Sequence, residues 1–259
     1  MTLRIFFHHL LLGFHFAKQE LKERYIGTSF GQLWLLISPV VTIFIYTVIF
    51  SDFMQMKLGL HQNRYSYSLY LIPGLLSWNF FASVVTRLSN SILDKAPILK
   101  KINIPMYVYY IAIFLSEFFV YTIAMAFGVL FALFVGGDFS FVLLVCMLLL
   151  AVFAFSLGVI FSLFVPFFKD LREMIQILLQ LWFWVTPIIY VKEMIAHKLP
   201  WLLSLNILYY FIEPMQEIFL YGTVHSTTDC IASAIIALLA LLVAMALYKR
   251  FISAIKDIL

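Results

Sequence analysis

The sequence predicts an all-α integral membrane protein: six transmembrane helices, an N-terminal amphipathic interfacial helix and short re-entrant helices before the last span. Three observations carry this. Of 259 residues, 64% are apolar and 12% charged, against about 25% charged in a soluble domain. Mean hydropathy is +1.03, and a soluble fold of this size lacks the interior to hide so much apolar surface. Uncharged runs also recur at the ~20-residue length that crosses a ~30 Å hydrocarbon core. Two Cys exclude a disulfide scaffold, and the hydrophobicity excludes disorder. A lipid-facing barrel would show alternating segments of ~10 residues instead.

The elements follow in order. In residues 1–24, Leu3, Phe6, Phe7, Leu10, Leu11 and Phe14 recur at helical spacing. Arg4, His8, His15, Lys18 and Lys22 fall on the other side. This reads as an amphipathic helix on the inner membrane face. It lacks the long apolar region and small-residue cleavage site of a signal peptide. Gly27 and Gly31 offer a bend into the first span. The uncharged runs are 25–51, 65–86, 118–137 (extending back to 102, with Glu117 inside), 139–168, 174–191 and 230–248. Residues 199–221 are apolar too, but Pro200, Glu213, Pro214 and Glu217 interrupt them. Each half is too short to cross, which gives the re-entrant or interfacial pair. The chain thus reads as one transmembrane domain over 1–259, with the amphipathic helix in 1–24 and a six-span bundle in 25–259.

Lys and Arg set the orientation. With the N-terminus inside, thirteen of the 17 fall in cytoplasmic segments. The outer segments hold only Lys57, Arg64, Lys192 and Lys198. Both termini are expected to be cytoplasmic, and the basic pI of about 9.0 calls for no nucleic-acid partner.

Familiar catalytic signatures are absent. There is no G-x-x-x-x-G-K-[ST] to cradle ATP phosphates. There is no H-E-x-x-H and no G-x-S-x-G elbow. His8 and His15 share a helix face without a carboxylate or Cys to complete a metal site, so no metal is expected. His225 and Asp229 read as solvated loop residues. Cys146 and Cys230 read as packing residues with no disulfide. No catalytic residue is expected.

Two stripes stand out. Trp34, Ser38, Thr42, Tyr46 and Phe50 follow one another at four-residue spacing, and so do Gln176, Gln180 and Trp184, followed by Thr186-Pro187 and Tyr190. Lipid rejects the glutamines. They are either glue between helices, through hydrogen bonds across an interface, or the wall of a conduit. In the second case the rings would stack on sugar C–H faces while Gln, Ser and Thr meet hydroxyls. Pro73-Gly74, then Ser77, Trp78 and Asn79, mark a break that serves packing or a gate. The loop 94–105 has an apolar side in Ile98, Leu99 and Ile102 and charge in Lys95, Lys100 and Lys101. It is either an ordinary positive-inside loop or a docking helix, which Asp94 could cap and Pro105 end. Glu117 is the only acid inside a predicted span. Such a charge costs at least ~2.5 kcal/mol and wants a partner. Arg87, on the neighbouring span, is the economical choice, with a structural role.

The motif Lys22-x-Arg24-Tyr25-x-x-Thr28-x-x-Gly31-x-Leu33-Trp34, with Pro39, Tyr46 and Phe50, resembles the opening of ABC-2 type permeases that export polysaccharides. Phe168-Lys169-Asp170 resembles their Phe-Arg-Asp, and Thr186-Pro187-Ile188-Ile189-Tyr190 their Thr-Pro-Ile-x-Tyr. The likeness covers nearly the whole chain and looks nearest to the permeases of O-antigen export systems. It departs at Ile207, where Asn-Pro is common, at Lys169, and in lacking an Arg after Asn206. The resemblance implies a permease homodimer in the cell inner membrane with two copies of a separate ABC ATPase, which would hold the ATP and Mg. This chain would bind no cofactor. The channel would run along the dimer, walled by Trp34, Ser38, Thr42, Tyr46, Gln176, Gln180, Trp184 and Tyr190. Asp94, Lys95, Ile98, Leu99, Lys100 and Lys101 would form the coupling helix. The cargo would be a lipid-linked polysaccharide.

Capsule, teichoic acid, drug or lipid cargoes are the alternatives within this family. An ion-coupled secondary transporter would show repeats and several mid-span ionisable residues. A membrane glycosyl- or acyltransferase would show an acid/base pair. Neither pattern is present.

Overall fold

The computed structural model describes residues 3–49, 65–99, 104–192 and 200–258. Among the described residues the helices are α1 (Leu3–Glu23), α2 (Trp34–Thr47), α3 (Ser66–Leu99), α4 (Met106–Phe134), α5 (Val142–Phe164), α6 (Leu171–Val185), α7 (Pro200–Leu205), α8 (Tyr209–Tyr221) and α9 (Thr227–Ile258), and there is no strand. The all-helical class is as the sequence predicts. Four helices, α3, α4, α5 and α9, are long and apolar enough to cross a membrane.

The first and fifth expected spans appear as shorter helices. α2 has 14 residues and α6 has 15, or about 21 and 22 Å at 1.5 Å per residue. The physical reasons differ. Ahead of α2 the chain turns through Gly27 and Gly31, both at positive φ, so helix begins only at Trp34, not at 25. The end of that run lies outside the described residues. α6 stops because Thr186 is extended (φ −87°, ψ 132°) before Pro187, which has no N–H to give. The bared carbonyls then find side chains. Tyr70 donates to the Pro187 and Tyr190 carbonyls at 2.9 and 3.1 Å. Gln216 donates to the Pro187 carbonyl at 3.2 Å, and Tyr67 to the Ile189 carbonyl. Irregular backbone survives among apolar helices only with such partners.

α3 is the central element. Its 34 residues run to about 51 Å, well beyond a bilayer core. It continues through Arg87, where the sequence ends a span, and through Pro97. It packs against α2, α4, α5, α6 and α8. Close approach comes from small residues. Gly158 of α5 lies so near Leu88 that an added Cβ would meet it at 2.8 Å. Buried Ser91, Ser116, Ser156 and Ser162 return their hydroxyls to carbonyls of their own helices, so none of these four hydroxyls is an orphan donor. Stacked rings then tie layers together: Phe81 on Phe153 at 5.8 Å, and Phe153 on Phe211 at 4.9 Å. These link α3, α5 and α8. Cys146 and Cys230 are free thiols.

α1 does not simply rest on a surface. Gly13 and Ala17 are buried against α4, and an added Cβ on Gly13 would meet Ile111 at 2.9 Å. His9 bonds the Tyr107 hydroxyl, Phe16 stacks on Tyr109 at 5.4 Å, and Arg24 reaches Glu117. From His9 to Arg24, α1 advances about 22 Å while climbing about 15 Å along α4. It is an oblique strut, with a narrow packing face between its apolar and charged sides.

The 200–221 segment is two short helices broken at Asn206. Asn206 is the hub of that break. Its carbonyl oxygen accepts from Trp182 Nε1 at 2.9 Å and from the Leu208 N–H at 3.1 Å. Its amide donates to Thr186 Oγ1 at 3.0 Å and to the Val185 carbonyl at 3.2 Å. One side chain thus welds the end of α6 to the α7–α8 turn. α8 is buried on nearly all sides between α3, α5 and α9.

Candidate functional site

Two cavities flank α3. The first, about 250 Å³, lies between α2, α3 and α4 and is lined by Trp34, Ser38, Thr42, Asn79, Ser83, Glu117 and Arg24 among others. The second, about 530 Å³, lies between α3 and α6 and is lined by Ser83, Thr86, Arg87, Gln176 and Gln180, with Trp78 and Phe183. Ser83 borders both. The two stripes therefore sit on either side of α3, and α3 fills the gap with a third. Asn79, Ser83 and Thr86 are spaced to share one helix face. Asn79 is exposed within a stretch that is otherwise almost wholly buried. Gln176 Nε2 donates to Thr86 Oγ1 at 3.2 Å, which closes the strip from α6 to α3.

The third stripe is absent from the sequence reading. Its sequence signal is the four-residue step from Asn79 to Ser83, which the break at Pro73-Gly74 and the neighbouring Trp78 mask. The remaining stripe residues are placed differently. Trp184 is exposed at the far end of α6, and Tyr190 is half-buried and donates to the Trp184 carbonyl at 2.7 Å. Tyr46 is half-buried on α2. None of these three lines either cavity. Phe50 lies outside the described residues. Trp182 turns inward, edge-on to Phe81 at 5.5 Å.

Below the strip lies a charge network. Arg87 meets Glu117, but Arg24 meets the same Glu117 oxygen, and Arg87 also meets Glu20. Ser83 donates to the other Glu117 oxygen at 2.8 Å. Two acids and two bases alternate, so the cluster is neutral and every charge has an opposite neighbour. In the sequence Arg24 stands out only as part of the Lys22-x-Arg24-Tyr25 motif, and Glu20 carries no signal of its own. Their role needs α1 to lie along α4.

The docking candidates are placed as follows. Asp94 caps no separate helix; it lies inside α3, whose helix runs on to Leu99. Pro97 is compatible with this because its fixed φ suits a helix and only one N–H is lost. Pro105 is the N-cap of α4. Lys95 lies on the same extension of α3, as do Ile98 and Leu99. Lys100 and Lys101 lie outside the described residues. Asp94 faces Arg172 of α6 at 3.6 Å.

On the opposite end, Lys192 pairs with Glu213 and lies 3.8 Å from Glu217. Burial would lower the Lys192 ammonium, but the hydrogen bond and charge of Glu213 outweigh it, and the net shift is upward. Glu217 Oε2 accepts from the His225 and Ser226 N–H groups at 2.8 and 2.9 Å and from the Ser226 hydroxyl at 2.8 Å. This fixes the turn into α9. No group of His, Cys, Asp and Glu fit to hold a metal ion occurs among the described residues.

An open polar strip on apolar helices can contact a solute through hydrogen bonds. The family model described as ABC-2 type transporter matches residues 14–220. An O-antigen export system permease protein RfbA of Klebsiella pneumoniae is 30% identical over 213 residues, covering 81% of this chain and 80% of that protein. A protein of the same name from Myxococcus xanthus is 24% identical over 240 residues, covering 90% of this chain and 89% of its own length. Fold, site and similarity converge, and this chain belongs to the ABC-2 type transporter family, as a membrane permease.

Proposed function

We propose that this chain is the transmembrane subunit of an ATP-driven exporter that moves a lipid-linked polysaccharide of O-antigen type outward across the cell inner membrane. The single observation that carries the reading is the polar strip Ser38–Thr42, Asn79–Ser83–Thr86, Gln176–Gln180, open on helices that are otherwise apolar. Such side chains are costly against lipid and suit a hydrated wall. A polysaccharide is long, hydrophilic and rich in hydroxyls. It needs a continuous path with weak, repeated contacts, which Ser, Thr, Asn and Gln supply by hydrogen bonds and Trp34 and Trp184 by stacking. The names of the relatives support the cargo.

Two copies pair with their strips facing, and the channel lies between them. Tyr46 and Tyr190 belong to the same wall, toward its ends. The chain crosses six times with both termini cytoplasmic; α2 and α6 complete their crossings with the segments that adjoin them. Lacking a phosphate-binding loop, it takes its energy from two copies of a cytoplasmic ABC ATPase that bind ATP and Mg, and it holds no cofactor itself. The ATPase docks on the α3 extension, with Asp94, Lys95, Ile98, Leu99, Lys100 and Lys101. The Arg87–Glu117 pair is structural and steadies the two helices that carry this extension.

The test is co-expression with the ATPase encoded nearest to it. The two should co-purify, hydrolyse ATP and export polysaccharide in a strain lacking its own exporter. Lys100→Glu with Lys101→Glu should reduce assembly or coupling. Normal export by that double variant overturns the docking role, and failure to export any polysaccharide while another solute moves overturns the cargo.

A further inference from the structure

A third cavity, about 580 Å³, lies between α1, α4, α5 and α9, and its lining includes Phe7, Leu11, Phe14, Phe114, Val152 and Leu241. Every lining side chain is an aliphatic or a phenyl group. Phe7, Leu11 and Phe14 remain about 60% exposed, so the protein itself does not cover this apolar face. It is remote from the polar strip. On α4 the groove uses Ile111, Phe114 and Leu115, while the first cavity uses Glu117, Val120, Tyr121 and Ala124. At ~100° per residue the two sets point roughly a third of a turn apart.

One end of the groove has a polar rim. His9 bonds the Tyr107 hydroxyl. Tyr248 lies beside Tyr107, and its ring is 6.2 Å from that of Tyr110. Tyr248 is seven residues beyond Leu241 and therefore on the same face of α9, two turns nearer the rim. Flanking these are His8, its ring 6.3 Å from that of His9, and Lys249, both exposed. Glu20, the acid nearest along the packing face of α1, is engaged with Arg87. The rim is thus hydrogen-bonding and cationic, and the walls beyond it are wholly apolar.

We propose that this groove is a binding site for an anionic phospholipid of the inner leaflet, with one acyl chain along the apolar walls and the phosphate at His8, Lys249 and the His9–Tyr107–Tyr248 cluster. The inference rests on the membrane orientation proposed above, which puts the rim at the cytoplasmic surface. It concerns a resident bilayer lipid and not the lipid carrier of a cargo, because the groove opens away from the strip that contacts cargo. The lipid fills the angle between the oblique α1 and the bundle, and so supports the strut that delivers Arg24 and Glu20 to Glu117.

The experiment is native mass spectrometry of the full-length protein released from vesicles of equal phosphatidylglycerol and phosphatidylethanolamine. Bound lipid should be phosphatidylglycerol by about fivefold, the factor corresponding to ~1 kcal/mol for a basic residue such as Lys249 near a membrane surface. Leu11→Trp, which fills the groove, should remove the bound lipid, while Leu238→Trp on the exposed face of α9 should retain it. Should Leu11→Trp fail to fold, His8→Glu with Lys249→Glu keeps the walls intact and should abolish the preference. Equal occupancy by both lipids, lipid retention in the filled variant, or recovery of a polyprenyl carrier in place of phospholipid each overturns the proposal. Loss of export with lipid selectivity intact would count against the proposed cargo and leave this site standing.

Discussion

Arg24, one residue past the end of α1, reaches the carboxylate of Glu117 eleven residues into α4. That contact ties the end of α1, just before the turn at Gly27 and Gly31, to the bundle, which α2 joins by its own packing on α3 and α4. Glu117 keeps only 4% of its surface exposed, and both arginines that meet it lie at the edge of a cavity lined by the polar strip.

Replacing Glu117 by Gln leaves two part-buried guanidiniums facing each other. Removing one partner of a fully buried pair costs about 3–5 kcal/mol. Each arginine keeps 28–30% of its side chain exposed, which lowers the expectation to about 2 kcal/mol. Thermal unfolding in detergent checks this. The simple swap Arg87→Glu with Glu117→Arg should not restore stability. It sets the new carboxylate on α3 against Glu20 and the new guanidinium on α4 against Arg24. Reversing all four residues should recover most of the loss. Full rescue by the two-residue swap would show that Glu20 and Arg24 are bystanders.

Cysteines at Ser38, Thr42, Asn79, Ser83 and Gln180, in a chain freed of Cys146 and Cys230, should react with a membrane-impermeant thiol reagent while polysaccharide is being exported. Cysteines at Ile43 and Leu75, both buried and lining neither cavity, should react about tenfold more slowly. Asn79 and Ser83 decide most, since they belong to the stripe on α3. Protection at both would reduce the strip to packing between helices.

Asn206→Leu preserves approximate bulk but strands the Trp182 indole N–H, the Leu208 N–H and the Val185 carbonyl. Each buried unsatisfied group costs about 1–3 kcal/mol, so a total near 3 kcal/mol is expected. The loss should show as faster hydrogen exchange in 182–190 and 205–212 ahead of the rest of the chain. Unchanged exchange there would mean that the α7–α8 break is held by burial alone.

Gly158→Ala should destabilise by about 1–3 kcal/mol, the usual range for overpacking, because its Cβ would sit 2.8 Å from Leu88. Leu88→Ala should cost its own cavity, yet the double variant should be less damaged than the two singles summed. Contacting residues couple in this way. Strict additivity would mean that α3 and α5 can slide apart to absorb the methyl group.

Composition and period by themselves determined the class of this protein. Hydropathy and the scarcity of charge require lipid around the chain, and uncharged length marks six candidate spans, of which the described structure forms four as long helices. The stripes of α2 and α6 were legible because four-residue steps put Ser38 with Thr42 and Gln176 with Gln180 on single helix faces. What faces what was not legible, since a helical period says which residues share a side but not which neighbour that side meets. Glu117 announced its need for a base, and Arg87, on the neighbouring span at a reachable depth, was the economical choice; Arg24 and Glu20 entered only when α1 lay obliquely on α4. The end of α6 at Thr186 likewise followed from Pro187, but only tertiary packing brought Tyr67, Tyr70, Asn206 and Gln216 to the freed carbonyls. Long-range hydrogen bonds and ion pairs depend on crossings between helices far apart in sequence. Those crossings are set by small residues such as Gly13 and Gly158 meeting particular partners, and no local pattern names the partner.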